Sequence, residues 1–137
     1  MSLLNALTDT ILAAYPSTQA IYLFGSWGTT EEWPSSDVDI AVLLPPEQTK
    51  QVDVIGWNRL TQQLATLVHK EVDLLNLREV STVFQKEVVM AERRILTVDE
   101  YAADEFEMLV LSYYQKLNEE RAEIMTEGLA SGRFYNV

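Results

Sequence analysis

The chain has 137 residues, with 10 Lys plus Arg against 21 Asp plus Glu and a formal net charge of -11 at pH 7. An apolar fraction of 47% is too high for a disordered acidic tail and normal for one folded domain of this length. The acidity argues against direct contact with a nucleic-acid backbone, and the absence of cysteine removes disulfides, zinc–thiolate sites and thiol catalysis while fitting a reducing, cytoplasmic compartment.

In chain order, Leu3, Leu4, Leu7, Ile11, Leu12 and Tyr15 recur at helical spacing, which predicts an amphipathic helix over 3–15 ended by Pro16. Residues 20–24 read as a buried strand entering a turn at Gly25, and 27–36 as a polar and aromatic loop. A second buried strand covers 38–44 and stops at Pro45-Pro46. Val54, Ile55, Trp57, Leu60, Leu64, Leu67 and Val68 predict a second helix. A third strand follows over 72–77, then a helix around Val80, Val83, Phe84 and Val88, then a short strand over 95–98.

From Asp99 the period becomes purely helical. Phe106, Leu109, Val110, Tyr113, Tyr114, Leu117, Ile124 and Met125 form an apolar stripe on a helix of about 25 residues. Gly128 and Gly132 are expected to break it, leaving an aromatic tail over 133–137. Strands separated by helices indicate an α/β (α+β) domain, a small mixed sheet flanked by helices, over 1–98. Residues 99–137 form a helical extension that packs on the same domain or meets a partner. No apolar run approaches the roughly 18–20 residues of a membrane helix, and no basic-then-apolar leader is visible, so no membrane contact is expected.

The informative stretch is Gly25-Ser26, ten residues, then Asp37-Val38-Asp39. Glycine after a strand lets the chain turn close to a ligand, and Ser26 offers a hydroxyl and an N–H to a phosphate oxygen. Asp37 and Asp39, two apart in a strand, project from one face. Carboxylates held that close raise each other's pKa unless a cation intervenes, and Mg²⁺ favours one or two carboxylates together with phosphate oxygens. Asp73 interrupts an otherwise apolar strand, where a buried carboxylate must be paired, solvated or metal-bound. If its strand lies beside 38–44, all three acids face one cleft, suited to metal-assisted attack on a triphosphate with Asp73 as general base.

These residues resemble the signature of the DNA polymerase β-type nucleotidyltransferases. The length resembles their minimal nucleotidyltransferase (MNT) branch, in particular the antitoxins of HEPN–MNT modules. The motif covers 24–39 plus Asp73. The resemblance implies a polymerase β-like fold with Asp37, Asp39 and Asp73 holding two Mg²⁺ ions and Gly25 and Ser26 holding the triphosphate of ATP. It further implies AMP transfer to a tyrosine of a cognate HEPN ribonuclease toxin, in a hetero-oligomer of the type VII kind. One departure stands out: members often carry a basic residue directly after Gly-Ser, and this chain has Trp27. Counter-charge must then come from the metal or a remote cation, with Arg78 and Lys86 as sequence candidates.

Two other readings use the same residues: transfer to a small molecule of the aminoglycoside type, and neutralisation of a toxin by contact with a vestigial site. The remaining signals have simpler expectations. His69 ends the second helix and complements its dipole. Trp57 belongs to a core face, and Trp27 and Trp33 stack on a base, meet a partner or pack the loop. Tyr113 and Tyr114 belong to the core or an interface. The remaining acidity suits encounter with a basic RNA-cleaving partner.

Overall fold

Four helices begin where a small polar residue can take over an orphan N–H. Ser2 accepts from the Asn5 N–H, Asp53 from Gly56, Ser81 from Phe84 and Asp99 from Ala102, at 3.1, 3.1, 3.3 and 3.0 Å. The computed structural model describes residues 2–131, and side chains through residue 124. Its elements are α1 (Leu3–Ala14), β1 (Ala20–Phe24), β2 (Val38–Leu43), a single turn α2 (Pro46–Thr49), α3 (Val54–Val68), β3 (Val72–Asn76), α4 (Thr82–Met90), β4 (Arg94–Thr97) and α5 (Glu100–Ser131).

The strands form one mixed sheet in the order β3-β2-β1-β4. β1 runs antiparallel to both β2 and β4, and β2 runs parallel to β3. A parallel pair needs a long crossover, which α3 supplies. Alternation along the central strands divides the core into two layers. Ile21, Leu23, Val38, Ile40 and Val42 pack with Leu7 and Ile11 of α1 and Leu60 and Leu64 of α3. Ala20, Tyr22, Ala41 and Leu43 pack on the other side with Val88 and Val89 of α4 and Ala103, Phe106 and Val110 of α5. Trp57 joins the first layer as expected, its ring tilted against Tyr15 and its indole N–H donating to Leu74 O at 3.0 Å.

A polar knot ties α5 to the sheet. The buried Tyr22 hydroxyl donates to Glu107 Oε2 at 2.8 Å, and Arg94 Nη1 donates to the same oxygen at 2.7 Å and to Asp104 at 3.0 Å. Burial, then the neighbouring Glu107 carboxylate, pushes the Tyr22 phenol well above its ordinary range, so it stays a donor.

Three expectations need correction. The third strand ends at Asn76, where Leu77–Glu79 tightens into a 3₁₀ turn, and α2 was not expected. The long helix does not stop at Gly128: it runs through it to Ser131, because one glycine costs only about 1 kcal/mol in a helix interior. The stop at Gly132, the tail over 133–137 and the Met125 side chain lie outside the described residues. The apolar stripe of α5 divides sharply, since Phe106 and Val110 are buried whereas Leu109, Tyr113, Leu117 and Ile124 are exposed. Among the described residues no helix is long and apolar enough to cross a membrane.

This division is testable by urea denaturation of the isolated chain. Phe106→Ala should cost about 3 kcal/mol or more, the usual result for an emptied aromatic site. Ile124→Ala should stay within about 0.5 kcal/mol of wild type, as exposed substitutions do.

Candidate active site

The sheet register gathers the acids. Phe24 pairs with Asp39 across the antiparallel β1–β2 ladder, and Asp39 pairs with Asp73 across the parallel β2–β3 ladder. Residues opposite one another in a sheet share a face, and Asp37 lies two residues before Asp39 on that face. Gly25 follows directly on Phe24 with φ +74, a conformation that favours glycine. A Cβ there would overlap Asp39 Oδ2, so the backbone of the turn rests on the carboxylate itself. Gly25 thus answers two demands, a left-handed torsion and the close approach of an acid.

Burial pushes the Asp39 carboxyl up from its ordinary range, and the charges of Asp73 and then Asp37 push it further. Asp73 is not buried as the sequence suggested. It is exposed, on a strand that lies at the edge of the sheet. Asp37 is exposed as well, so the set is an open-sided cluster with Asp39 as its partly buried centre. Among the described residues, no three acid or imidazole side chains stand close enough to hold an ion as they are. The donor set nevertheless fits Mg²⁺: hard oxygens, mutual repulsion that a cation relieves, and open positions for phosphate oxygens arriving with the metal.

The loop from Gly25 to Ser36 folds back on itself. The Ser26 and Ser36 hydroxyls hydrogen-bond at 3.0 Å, and Ser36 Oγ also accepts from the Trp33 N–H at 2.9 Å. Thr29 donates its N–H and hydroxyl to Ser26 O at 3.0 and 2.5 Å. The Gly28 N–H donates to Glu32 Oε1 at 2.6 Å. Lys70 braces the far end, donating to Pro34 O at 2.9 Å and Ser36 O at 3.2 Å, directly before Asp37. Trp27 packs against the α1–α3 layer, whereas Trp33 is 67% exposed. Beside Gly25 a cleft of about 410 Å³ is lined by Phe24, Phe84, Met90, Ala91 and Glu87, an apolar wall with one acidic group.

The cations suggested by the sequence are elsewhere. Arg78 is half-buried at the opposite end of β2, donating to Leu44 O at 2.5 Å and Gln19 Oε1 at 2.7 Å with its guanidinium over Phe106. Lys86 pairs with Glu87 at 3.3 Å and lies over the Tyr114 ring. His69 caps α3 in a left-handed conformation, so its part is in ending the helix. The cation at the Gly-Ser turn is Arg93, whose Nη1 donates to Gly25 O at 3.2 Å and Nη2 to Trp27 O at 2.5 Å. Sequence reasoning missed Arg93, Lys70, Ser36 and Glu32. Only Lys70 left a signal, a cation between a helix end and the acid-bearing third strand.

With this geometry in place, comparison with known proteins decides the family. The family described as Polymerase beta, Nucleotidyltransferase matches residues 8–101, most of the chain and all four strands. This chain is a polymerase β-type nucleotidyltransferase. It is 36% identical over 117 residues to the protein adenylyltransferase MntA of Shewanella oneidensis, covering 85% of this chain and 80% of that protein. A toxin–antitoxin structure with AMP-PNP contains a chain 32% identical, with a TM-score of 0.76 over 92% of this chain and 98% of the other. A complex of tri-AMPylated Shewanella oneidensis HEPN toxin with its MNT antitoxin gives 31% identity and a TM-score of 0.72, covering 93% and 96%. The long α5 beyond the matched family segment is therefore part of the same architecture.

The nucleotidyltransferase's acid cluster has a stability cost that can be measured. Because the folded-state pKa of Asp39 is raised, its ionisation destabilises the fold as pH rises through that pKa. In metal-free buffer Asp39→Asn should melt above wild type at pH 7. The gap should close as pH falls below the ordinary aspartate range, where both side chains are neutral. Equal melting at both pH values would remove the claimed repulsion.

Proposed function

We propose that this nucleotidyltransferase is the antitoxin of a HEPN–MNT pair, a Mg²⁺-dependent protein adenylyltransferase acting in the cytoplasm. It transfers AMP from ATP to a tyrosine hydroxyl of its cognate HEPN ribonuclease toxin and thereby silences it. The observation that carries this reading is the register that sets Asp39 beside Asp73 and beneath Gly25. Its 36% sequence identity to MntA, and the AMPylated toxin found beside a related antitoxin, support the choice of acceptor.

In this reading Asp37, Asp39 and Asp73 hold two Mg²⁺ ions, which when bound offset phosphate charge and make the α-phosphorus easier to attack. The Gly25-Ser26 turn supports the phosphate chain through its N–H groups and the Ser26 hydroxyl. Attack by the tyrosyl oxygen on the α-phosphorus breaks the bond to the β-phosphate bridging oxygen, and pyrophosphate leaves. Asp73, exposed on the sheet edge, accepts the tyrosyl proton. The cleft of Phe24, Phe84 and Met90 offers an apolar wall to a ring beside the turn.

Residues 1–98 carry the chemistry, and 99–137 present the partner surface. The exposed Leu109, Tyr113, Leu117 and Ile124 of α5 are suited to burial in a hetero-oligomer. The surplus acid favours encounter with a basic RNA-cleaving protein.

Incubation with ATP, Mg²⁺ and the toxin should add AMP masses to toxin tyrosines, read by intact mass spectrometry. Asp39→Asn and Asp73→Asn should each lower the rate by about 10²-fold or more, since removal of a metal ligand or a general base costs on that order. Full activity in Asp39→Asn would overturn the mechanism. Toxin protection by Asp37→Asn with Asp39→Asn would shift the reading to neutralisation by contact. Transfer to an aminoglycoside without any toxin effect would shift it to a small-molecule acceptor.

A further inference from the structure

The turn that receives phosphates in this reading carries Trp27 where a basic side chain is expected, yet a guanidinium is present there. Arg93 comes from a point 68 residues away and engages the turn from behind, donating to Gly25 O and Trp27 O. Its backbone is fixed too, since the Leu23 N–H donates to Arg93 O at 2.9 Å and continues the β1–β4 pairing. Gly28, with φ +79, completes the fit: a Cβ there would lie 2.9 Å from Arg93 Nη2. A side chain at residue 28 would crowd the guanidinium and would also have to adopt a left-handed torsion.

In a trans peptide, C=O and N–H point in opposite directions. Holding the Gly25 and Trp27 carbonyls on one side sends the Ser26 and Gly28 N–H groups to the other. We infer that Arg93 is the positioning residue of this turn, fixing from behind the N–H groups that grip the triphosphate. The inference rests on the nucleotidyltransferase reading and adds to it the residue that replaces the missing cation. An independent contact shows that one of these N–H groups, that of Gly28, suits an anion. The Gly28 N–H already holds the Glu32 carboxylate in a short, charge-assisted hydrogen bond of 2.6 Å. Glu32 occupies a place a phosphate oxygen would take, and a triphosphate must displace it.

The two residues consequently act with opposite sign. Arg93 builds the anion site, and Glu32 competes for it. Binding of Mg²⁺·AMP-PNP to the full-length chain, measured by titration calorimetry, separates this from a merely structural loop. Arg93→Ala should weaken binding about tenfold, the scale of one or two lost charge-assisted hydrogen bonds, and added guanidinium ion should restore part of it. Glu32→Gln should tighten binding about threefold, because the neutral amide is a weaker occupant of the Gly28 N–H than a carboxylate. In turnover with ATP the Arg93→Ala loss should fall on KM more than on kcat, as for groups that bind ground and transition states alike.

Wild-type-like binding by Arg93→Ala overturns the inference, and so does weakened binding by both variants, which would mean that the two contacts only hold the loop together. A wild-type chain that fails to bind Mg²⁺·AMP-PNP at all would instead overturn the proposed adenylyltransferase activity on which the inference rests.

Discussion

Asp39 is pressed from three sides. Its own strand carries Asp37 two residues upstream, the parallel neighbour sets Asp73 beside it, and the Gly25 backbone closes over one carboxylate oxygen. Among the described residues no lysine or arginine forms an ion pair with any of the three acids. A fold governed by stability alone would relieve such crowding with a cation or an amide. Here main-chain hydrogen bonds on both sides of β2 fix the backbone positions from which the carboxylates project. A metal ion carried in with a polyphosphate is the natural relief, and the cluster is open enough to admit one.

The rest of the molecule supplies the rigidity this crowding needs. β2 is covered on both faces, by α1 and α3 on one and by α4 and α5 on the other, so its register with β1 and β3 is set by two apolar layers. The loop from Gly25 to Ser36 is braced at each end by a cation, Arg93 near Gly25 and Lys70 near Ser36, each donating to main-chain carbonyls. These cations are engaged by the backbone and leave the acids uncompensated. Positive charge in this site stiffens the scaffold, and negative charge is presented to the ligand.

The sequence made some parts of this visible and hid others for physical reasons. Gly25, Ser26, Asp37 and Asp39 sit within one short stretch, where period-two alternation and turn chemistry can be read directly. Asp73 could be placed beside them because its strand is clearly apolar, but its exposure could not. Exposure depends on β3 lying at the sheet edge, which is a matter of strand order. Arg93 was hidden because its role arises from β4 returning to pair with β1, and nothing local distinguishes it from Arg94. The extent of α5 was misjudged at Gly128, where helix propensity is a weak prior against a continuing helical pattern. The division of its apolar stripe into buried and exposed parts was equally illegible, since both parts share one period.

Arg93 and Arg94 are neighbours with separate duties. The strand turns one guanidinium to the Gly25–Trp27 turn and the other to Tyr22 and Glu107 at the base of α5. Just before them Glu92 adopts φ 55, a left-handed conformation that swings the chain out of α4 and sets the phase of β4. Phase is an integer: loss or gain of one residue in this turn would exchange the two sides and disturb the Gly25–Trp27 turn and the helix anchor together. The short connection at Ala91 and Glu92 therefore works as a reading frame in space. A change of one residue in its length is felt at both ends of the molecule unless a further bulge, like the one between Ile21 and Tyr22, absorbs it.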